Sequence, residues 1–425
     1  MSFDSHIHSI YSREILDSRG YPTLETTVVT RSGFRGIVGI PGGTSIGKYE
    51  AVELRDTNST RYQGQGVLQA VTKVNKVISP RLTGLDCLNQ AQIDQTLLTL
   101  DQTPNKQNLG ANSILSVSLA NAVVAANLER KPLFRYLNEI FQTYLKTDLV
   151  KIPAPIIEMI NGGKHAEGNL DFQEFHVIPV SNLTYTQALE TGVNIYQTLK
   201  RMLSQSGGST SVGYEGGFTP QFKTNVEAIQ IILESIKETG SKVGVNLYLG
   251  LDIAASHFKS VKGYTIKDIN QPLSTQDFIN FLIGLHKKYH FLLLEDPLGE
   301  DDWEGWQDLN AKIGSEVLIV GDDLLATNPL RLKMAIEKKA CAAILLKPNQ
   351  IGTLSEFFAV AALARKNNIK TVVSHRSGET TDTFIADLAV AIQADYVKFG
   401  APVRGERVAK YNRLLQIEAE LPIKI

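Results

Sequence analysis

Six short apolar runs in the C-terminal part of the chain each end in ionisable residues. Leu249-Gly250-Leu251 runs into Asp252, and Leu292-Leu293-Leu294 into Glu295 and Asp296. Ile319-Val320-Gly321 leads to Asp322 and Asp323, and Ile344-Leu345-Leu346 to Lys347. Val372-Val373-Ser374 ends in His375 and Arg376, and Tyr396-Val397 in Lys398. One Asp after an apolar strand is an ordinary helix cap. Six such endings in succession need another cause, because buried charges must be paired or bind metal.

The residue types suggest the chemistry. Asp252, Glu295 and Asp322 are hard oxygen donors, with no cysteine or paired histidine nearby. They suit Mg²⁺ and not a structural zinc, and the ion explains how like charges can converge. Lys347, His375 and Lys398 follow. A lysine works as a base only if its ammonium loses its proton readily; burial, a second lysine and a nearby cation all push that way. Such a base could take a proton from the carbon beside a metal-bound carboxylate, which then absorbs the charge.

Elimination also needs an acid. Tyr214-Glu215-Gly216-Gly217 sets a carboxyl group before two glycines, where backbone can approach a ligand closely. Asn161-Gly162-Gly163-Lys164-His165 and Gln173-Glu174 add a second glycine-rich loop and another acid. A pair of carboxylates suits protonation of a leaving hydroxyl. Arg376-Ser377-Gly378 offers a guanidinium fork and a hydroxyl to a phosphate.

Other motifs point elsewhere and fail on context. Gly42-Gly43-Thr44-Ser45-Ile46-Gly47-Lys48 nearly spells a phosphate-binding P-loop, but Tyr49 stands where Ser or Thr must hold Mg²⁺. His6 and His8 form an H-x-H pair that precedes a meander strand instead of ending a barrel strand. A non-catalytic binding protein on the same fold is the remaining alternative, and the retained acid, base and metal groups count against it.

In an α/β barrel the C-terminal ends of the strands all open on one face. From about residue 151, apolar runs alternate with helical stretches at Phe278–Leu285, Pro329–Glu337, Leu354–Arg365, Thr383–Gln393 and Arg407–Glu420. Repeated strand–helix units predict a parallel (β/α)8 barrel of the α/β class, with its active site at the C-terminal ends of the strands. Before it, strands at His8–Ile15, Thr23–Thr30 and Phe34–Ile40 read as a meander, followed by helices at Val67–Ile78, Ile93–Leu100 and Ser113–Leu128. The expected division is an α+β capping domain over residues 1–140 and a catalytic barrel over 141–425.

Bulk properties agree. The 425 residues are 43% apolar, enough for a large core, and the net charge of −1 carries no electrostatic footprint for nucleic acid or a membrane surface. Cys87 and Cys341 form no C-x-x-C pair and read as buried thiols in a reducing compartment. The N-terminal residues lack an apolar signal region, and no apolar run approaches a membrane span, so the cytosol is the expected location.

The motifs also resemble the enolase family over the whole length. The resemblance lies in Asp17-Ser18-Arg19-Gly20, Glu53-Leu54-Arg55-Asp56, Gly110-Ala111-Asn112-Ser113, Asn161-Gly162-Gly163, Gln173-Glu174-Phe175, Gly321-Asp322-Asp323-Leu324 and Ser374-His375-Arg376-Ser377-Gly378-Glu379-Thr380. It implies dehydration of 2-phosphoglycerate to phosphoenolpyruvate, a step of glycolysis and gluconeogenesis, by a cytoplasmic homodimer or higher homo-oligomer with a pair of Mg²⁺ ions. On that resemblance Asp252, Glu295 and Asp322 hold the first metal, and Ser45 joins the second as a lid closes. Lys347 is the base and Glu215 the acid. Glu174, His165 and Gln173 surround the leaving hydroxyl, Arg376 and Ser377 hold phosphate, Lys398 holds the carboxylate, and His375 lines the site. The loops at Gly42–Gly47 and Gly162–Gly168 are its lids. The chain departs from the usual pattern at Gly42, Ile46, Tyr214, Pro348 and Phe399. Those departures raise the alternative of a divergent paralogue acting on a related phospho- or phosphono-carboxylate.

Overall fold

The structure is a computed structural model that describes residues 3–43, 47–166, 168–180 and 182–421. The N-terminal sheet is an antiparallel meander of β1 (Ile7–Leu16), β2 (Pro22–Thr30) and β3 (Arg35–Gly39). The helix Ala111–Glu129 lies on β2 and β3. Gly36 permits the close approach, since a Cβ there would collide with the backbone of Ala120 and Val124.

Contrary to the expectation from apolar runs, this helix is long and apolar enough to cross a membrane. Its most apolar window is 89% buried within the protein, so a core position explains its composition. The expected helix at Val67–Ile78 runs from Leu68 to Leu82 and widens to a π-helical stretch at Lys73–Ile78. That stretch precedes Pro80, which has no N–H to give the helix ladder.

Eight strands close the barrel. They are β4 (Ala154–Asn161), β5 (Glu174–Pro179), β6 (Leu247–Asp252), β9 (Phe291–Glu295), β10 (Leu318–Gly321), β11 (Ala343–Leu346), β12 (Lys370–Ser374) and β13 (Tyr396–Lys398). A small ribbon, β7 (Lys259–Ser260) with β8 (Gly263–Tyr264), lies outside it. The sheet is not fully parallel as expected. β5 pairs antiparallel with both β4 and β6. The reason is the short link between β4 and β5, which holds one 3₁₀ turn at Gly163–His165 and no crossover helix. A chain that short can only return antiparallel.

Inside the barrel, side chains alternate with period two. Ile156, Ile178, Leu293, Val320, Ala343, Leu345 and Val372 form an apolar cluster separate from the main core. Two residues on, toward the mouth, the inward positions become Glu158, Glu295, Asp322, Lys347 and Ser374. Glu174, Asp252 and Glu295 sit side by side in register on β5, β6 and β9. A polar layer thus lies directly on an apolar plug, which denies it water from below.

The N-terminal domain caps the mouth. Gly42 and Gly378 exchange backbone hydrogen bonds of 2.8 and 3.0 Å, fixing the first loop to the loop after β12. Gly378 packs so tightly on the Asp17–Arg19 ion pair that a Cβ there would displace the ends of those two side chains. Lys48 and Tyr49, at the end of the near P-loop sequence, lie in a turn and not at a helix start.

Candidate active site

The strand-end residues meet in one cleft of about 490 Å³. Its walls include Glu50, His165, Gln173, Glu174, Glu215, Asp252, Asp296, Asp322, Asp323, Lys347, His375, Arg376, Ser377 and Lys398. Glu295 lies beneath, bonded to Lys398. Ser45 falls outside the described residues.

Lys398 is the hub. Its Nζ is 2.8 and 2.9 Å from the two oxygens of Glu295, 2.9 Å from Glu174 Oε2 and 3.2 Å from Asp252 Oδ2. Burial works against its charge, but Asp252, Glu174 and Glu295 hold its pKa well above the usual lysine value. Burial pushes Asp252 and Glu295 up, and neighbouring carboxylates add to this; Lys398 alone does not offset them. Carboxylates therefore outnumber fixed cations in a water-poor layer. All-oxygen donors of this kind suit Mg²⁺; Asp252, Glu295 and Asp322 are the expected holders, but Asp252 and Glu295 here close on Lys398, and the carboxylates that bring oxygens within 4.8 Å of one another are Asp296, Asp322 and Asp323. Asp296 instead shapes the backbone. Its carboxylate accepts the N–H groups of Asp322 and Asp323 and so aims the β10 terminus.

Lys347 Nζ lies 2.5 Å from Asp322 Oδ2. Burial, Arg376 and Lys398 favour the neutral amine, as a base requires, but Asp322 outweighs them and its pKa is raised. The downward shift that a base needs is thus opposed by the Asp322 charge.

The acid side is built from β4, β5 and two loops. Because β5 runs antiparallel, its first residue Glu174, and Gln173 before it, reach the same mouth as the ends of the parallel strands. Gln173 Nε2 donates to Asp252 Oδ2 at 3.1 Å. His165 Nδ1 stands 3.1 Å from Glu174 Oε1 and 3.4 Å from Glu215 Oε2. Burial opposes its protonation, yet Glu215 and Glu174 hold it well above the usual histidine pKa. Burial likewise opposes the Glu215 charge, and His165 nevertheless keeps that carboxyl well below the usual range. Glu174 is also lowered: burial resists, and Lys398 prevails.

Arg376 is held by the capping domain. Its guanidinium bonds Glu50 at 2.8 and 3.3 Å, and Asn349 Oδ1 at 3.0 Å. Glu50 also accepts the Gly47 N–H at 2.9 Å, which joins this pair to the first loop. Behind the loop, fully buried Arg407 donates to the carbonyls of Arg376 and Ser377 at 2.7 Å each, and to His375 Nδ1 at 2.7 Å.

Sequence reasoning missed Glu50, Glu158 and Arg407. Glu158 obeyed the same rule as the strand-end residues, an ionisable group two positions after an inward apolar one, but β4 went unrecognised as a strand. Glu50 and Arg407 carried no local signal. Of the altered neighbours, Tyr214, Pro348 and Phe399 do not line the cleft. Phe399 is buried edge-on to Tyr411, and Tyr214 is 43% exposed.

Comparison with protein families agrees with this architecture. Residues 7–137 match the family described as "Enolase, N-terminal domain". Residues 149–424 match "Enolase, C-terminal TIM barrel domain". Meander, barrel and polar mouth together span both matches, and the chain belongs to the enolase family.

Proposed function

We propose that this chain is a phosphopyruvate hydratase, dehydrating 2-phosphoglycerate to phosphoenolpyruvate and catalysing the reverse. The observation that carries the reading is one cleft lined by Lys347, Glu215, Arg376 and Ser377 beside Asp252 and Asp322. These supply the base, acid, phosphate site and metal site that this elimination needs.

Mg²⁺ on Asp252, Glu295 and Asp322 would supply positive charge to the substrate carboxylate. Lys347, as the neutral amine, takes the proton from the carbon beside that carboxylate at Nζ. Glu215 passes a proton to the leaving hydroxyl, which departs as water; because His165 holds its carboxyl below the usual range, that proton has to be delivered to it. Arg376 turns its fork from Glu50 to the phosphate, with the Ser377 hydroxyl alongside. Lys398 adds charge near the substrate carboxylate, while Gln173 and His165 orient Asp252, Glu174 and Glu215. Ser45, as a ligand for a second Mg²⁺, enters on resemblance alone, as do a homodimer and a cytosolic location.

A steady-state assay with purified protein, Mg²⁺ and 2-phosphoglycerate tests the reading. Turnover is expected, and Lys347→Ala should abolish it while Mg²⁺ binding persists. A folded, Mg²⁺-binding protein that turns over no 2-phosphoglycerate would overturn it. Because Tyr214, Pro348 and Phe399 lie off the cleft lining, they support the unshifted substrate over a related phospho-carboxylate.

A further inference from the structure

Glu158 is a charged residue type in the interior of β4, 1% exposed. One carboxyl oxygen of Glu158, one of Glu215 and a ring nitrogen of His375 lie within 4.8 Å of one another. Glu158 Oε1 accepts from Asn161 Nδ2. Glu158 Oε2 and Glu215 Oε2 are both buried, and neither has a hydrogen-bond partner among the described residues.

Among the described residues no side chain makes the missing hydrogen bond, although His165 Nδ1 and His375 Nε2 stand 3.4 and 3.2 Å from Glu215 Oε2. The Tyr196 and Tyr411 hydroxyls, the nearest phenols, donate to the carbonyls of Gly216 and Gly400 at 2.7 and 2.6 Å. The Lys398 ammonium is taken up by Glu174, Asp252 and Glu295. His165 Nδ1 faces Glu174 and Glu215.

His375 is fixed by Arg407. A guanidinium can only donate, so the bond to Nδ1 leaves that nitrogen as acceptor and puts the ring proton on Nε2. Nε2 lies 3.2 Å from Glu215 Oε2 but without hydrogen-bond geometry. A protonated Nε2 cannot ligate a metal, so the group of Glu158, Glu215 and His375 is not a cation site. Glu158 Oε2 and Glu215 Oε2 both remain without a partner, on carboxyl groups that approach within 4.8 Å of each other, and a carboxyl proton is the partner such a pair lacks.

We propose that Glu158 carries a proton shared with Glu215, making Glu158 the positioning residue that keeps the acid supplied during the proposed dehydration. The inference rests on the reading of Glu215 as that acid. Burial, then Glu174 and Glu215, push the Glu158 pKa well above the usual carboxylate value, whereas Glu215 is lowered. The proton therefore resides on Glu158 between turnovers. In the forward step the Glu158 proton moves to Glu215 and passes on to the departing oxygen as the substrate C–O bond breaks, forming water and leaving both groups as carboxylates. Lys347 has meanwhile gained the proton from carbon, so the protein's total is unchanged until both groups exchange with solvent.

Two measurements on the Mg²⁺-loaded protein test this. Infrared spectroscopy without substrate, at neutral pH, should show a protonated-carboxyl C=O band in the wild type that Glu158→Gln lacks. In the kinetic test, Glu158→Gln should lower kcat about 10- to 100-fold. Its KM should stay within about twofold. The alkaline limb of its pH profile should move down by about one unit, because Glu215 then ionises without a proton donor behind it. Glu158→Asp, which retains a transferable proton, should restore part of both kcat and limb. A Glu158→Gln spectrum identical to wild type overturns the proposal, and so does an unshifted profile with wild-type kcat. A wild type with the Glu158 band but no turnover would sustain the shared proton and overturn only the dehydratase reading.

Discussion

Arg407→Met isolates the support behind the substrate loop. Arg407 donates to the carbonyls of Arg376, Ser377 and Tyr214 at 2.7, 2.7 and 3.2 Å, and to His375 Nδ1 at 2.7 Å. Methionine fills much of the volume but offers no donor. Four acceptors lose a charged partner, at roughly 1–3 kcal/mol for each buried group left unsatisfied. Carbonyls have a second lone pair and water can enter the gap, so the lower end applies, about 4 kcal/mol in all. The midpoint temperature should fall by roughly 8 °C, at about 2 °C per kcal/mol for a large domain.

The same change frees His375 Nδ1. Burial and then Arg407 hold the His375 pKa below the usual value, so the variant should raise it. Calorimetry reads the stability, and ¹⁵N resonances of the His375 ring read the tautomer. Stability within about 1 kcal/mol of wild type, with Nδ1 still unprotonated through acid pH, would refute the assigned role, since a loss that small matches an ordinary surface change.

Other outcomes follow from the same structure. His257 is pushed down to about 4 by burial, with Lys164 and His165 adding to it. The folded state thus binds fewer protons than the unfolded one between about pH 4 and 6.5, and His257 contributes stability that is lost as pH falls through that window; a flatter acid limb in His257→Phe checks it. Cys87 and Cys341 are free and buried, and burial pushes both thiols up to about 12. Neither should react with a thiol reagent at neutral pH until the protein unfolds, when both should; rapid labelling of the native protein would contradict the burial. Asp252→Asn removes a carboxylate and should weaken Mg²⁺ binding at least about tenfold by calorimetry; unchanged affinity would take Asp252 out of the metal site.

Much of the barrel was legible because buried parallel strands are short apolar runs, and β6 and β9 to β13 are of that kind. β4 and β5 were not read as strands because the polar layer interrupts them: Glu158 and Asn161 in one, Glu174 and His176 in the other. The same interruption hid the antiparallel β5, since nothing in an apolar run tells its direction. Gln173 and Glu174 were therefore picked out as a further acid and its neighbour with no element to carry them, while the structure makes Glu174 the first residue of a strand that enters the mouth from the opposite side, with Gln173 just before it.

The site was legible as far as period two reached, and no further. Asp252, Glu295, Asp322, Lys347 and Lys398 could be found because each ends a strand, and the fold turns strand ends into neighbours. Glu50 and Arg407 could not, because their partners lie 326 and about 30 residues away and only tertiary packing joins them. What the sequence could not convey at all was the balance of charge. A polar layer laid on an apolar plug makes each unpaired carboxylate costly. Lys398 neutralises only part of the excess. In the proposed mechanism the rest is met by a cation at Asp252, Glu295 and Asp322 and by a retained proton at Glu158, on the metal side and the acid side of the cleft. One physical constraint, too many carboxylates in a dry layer, would then account for both of the agents that an elimination uses.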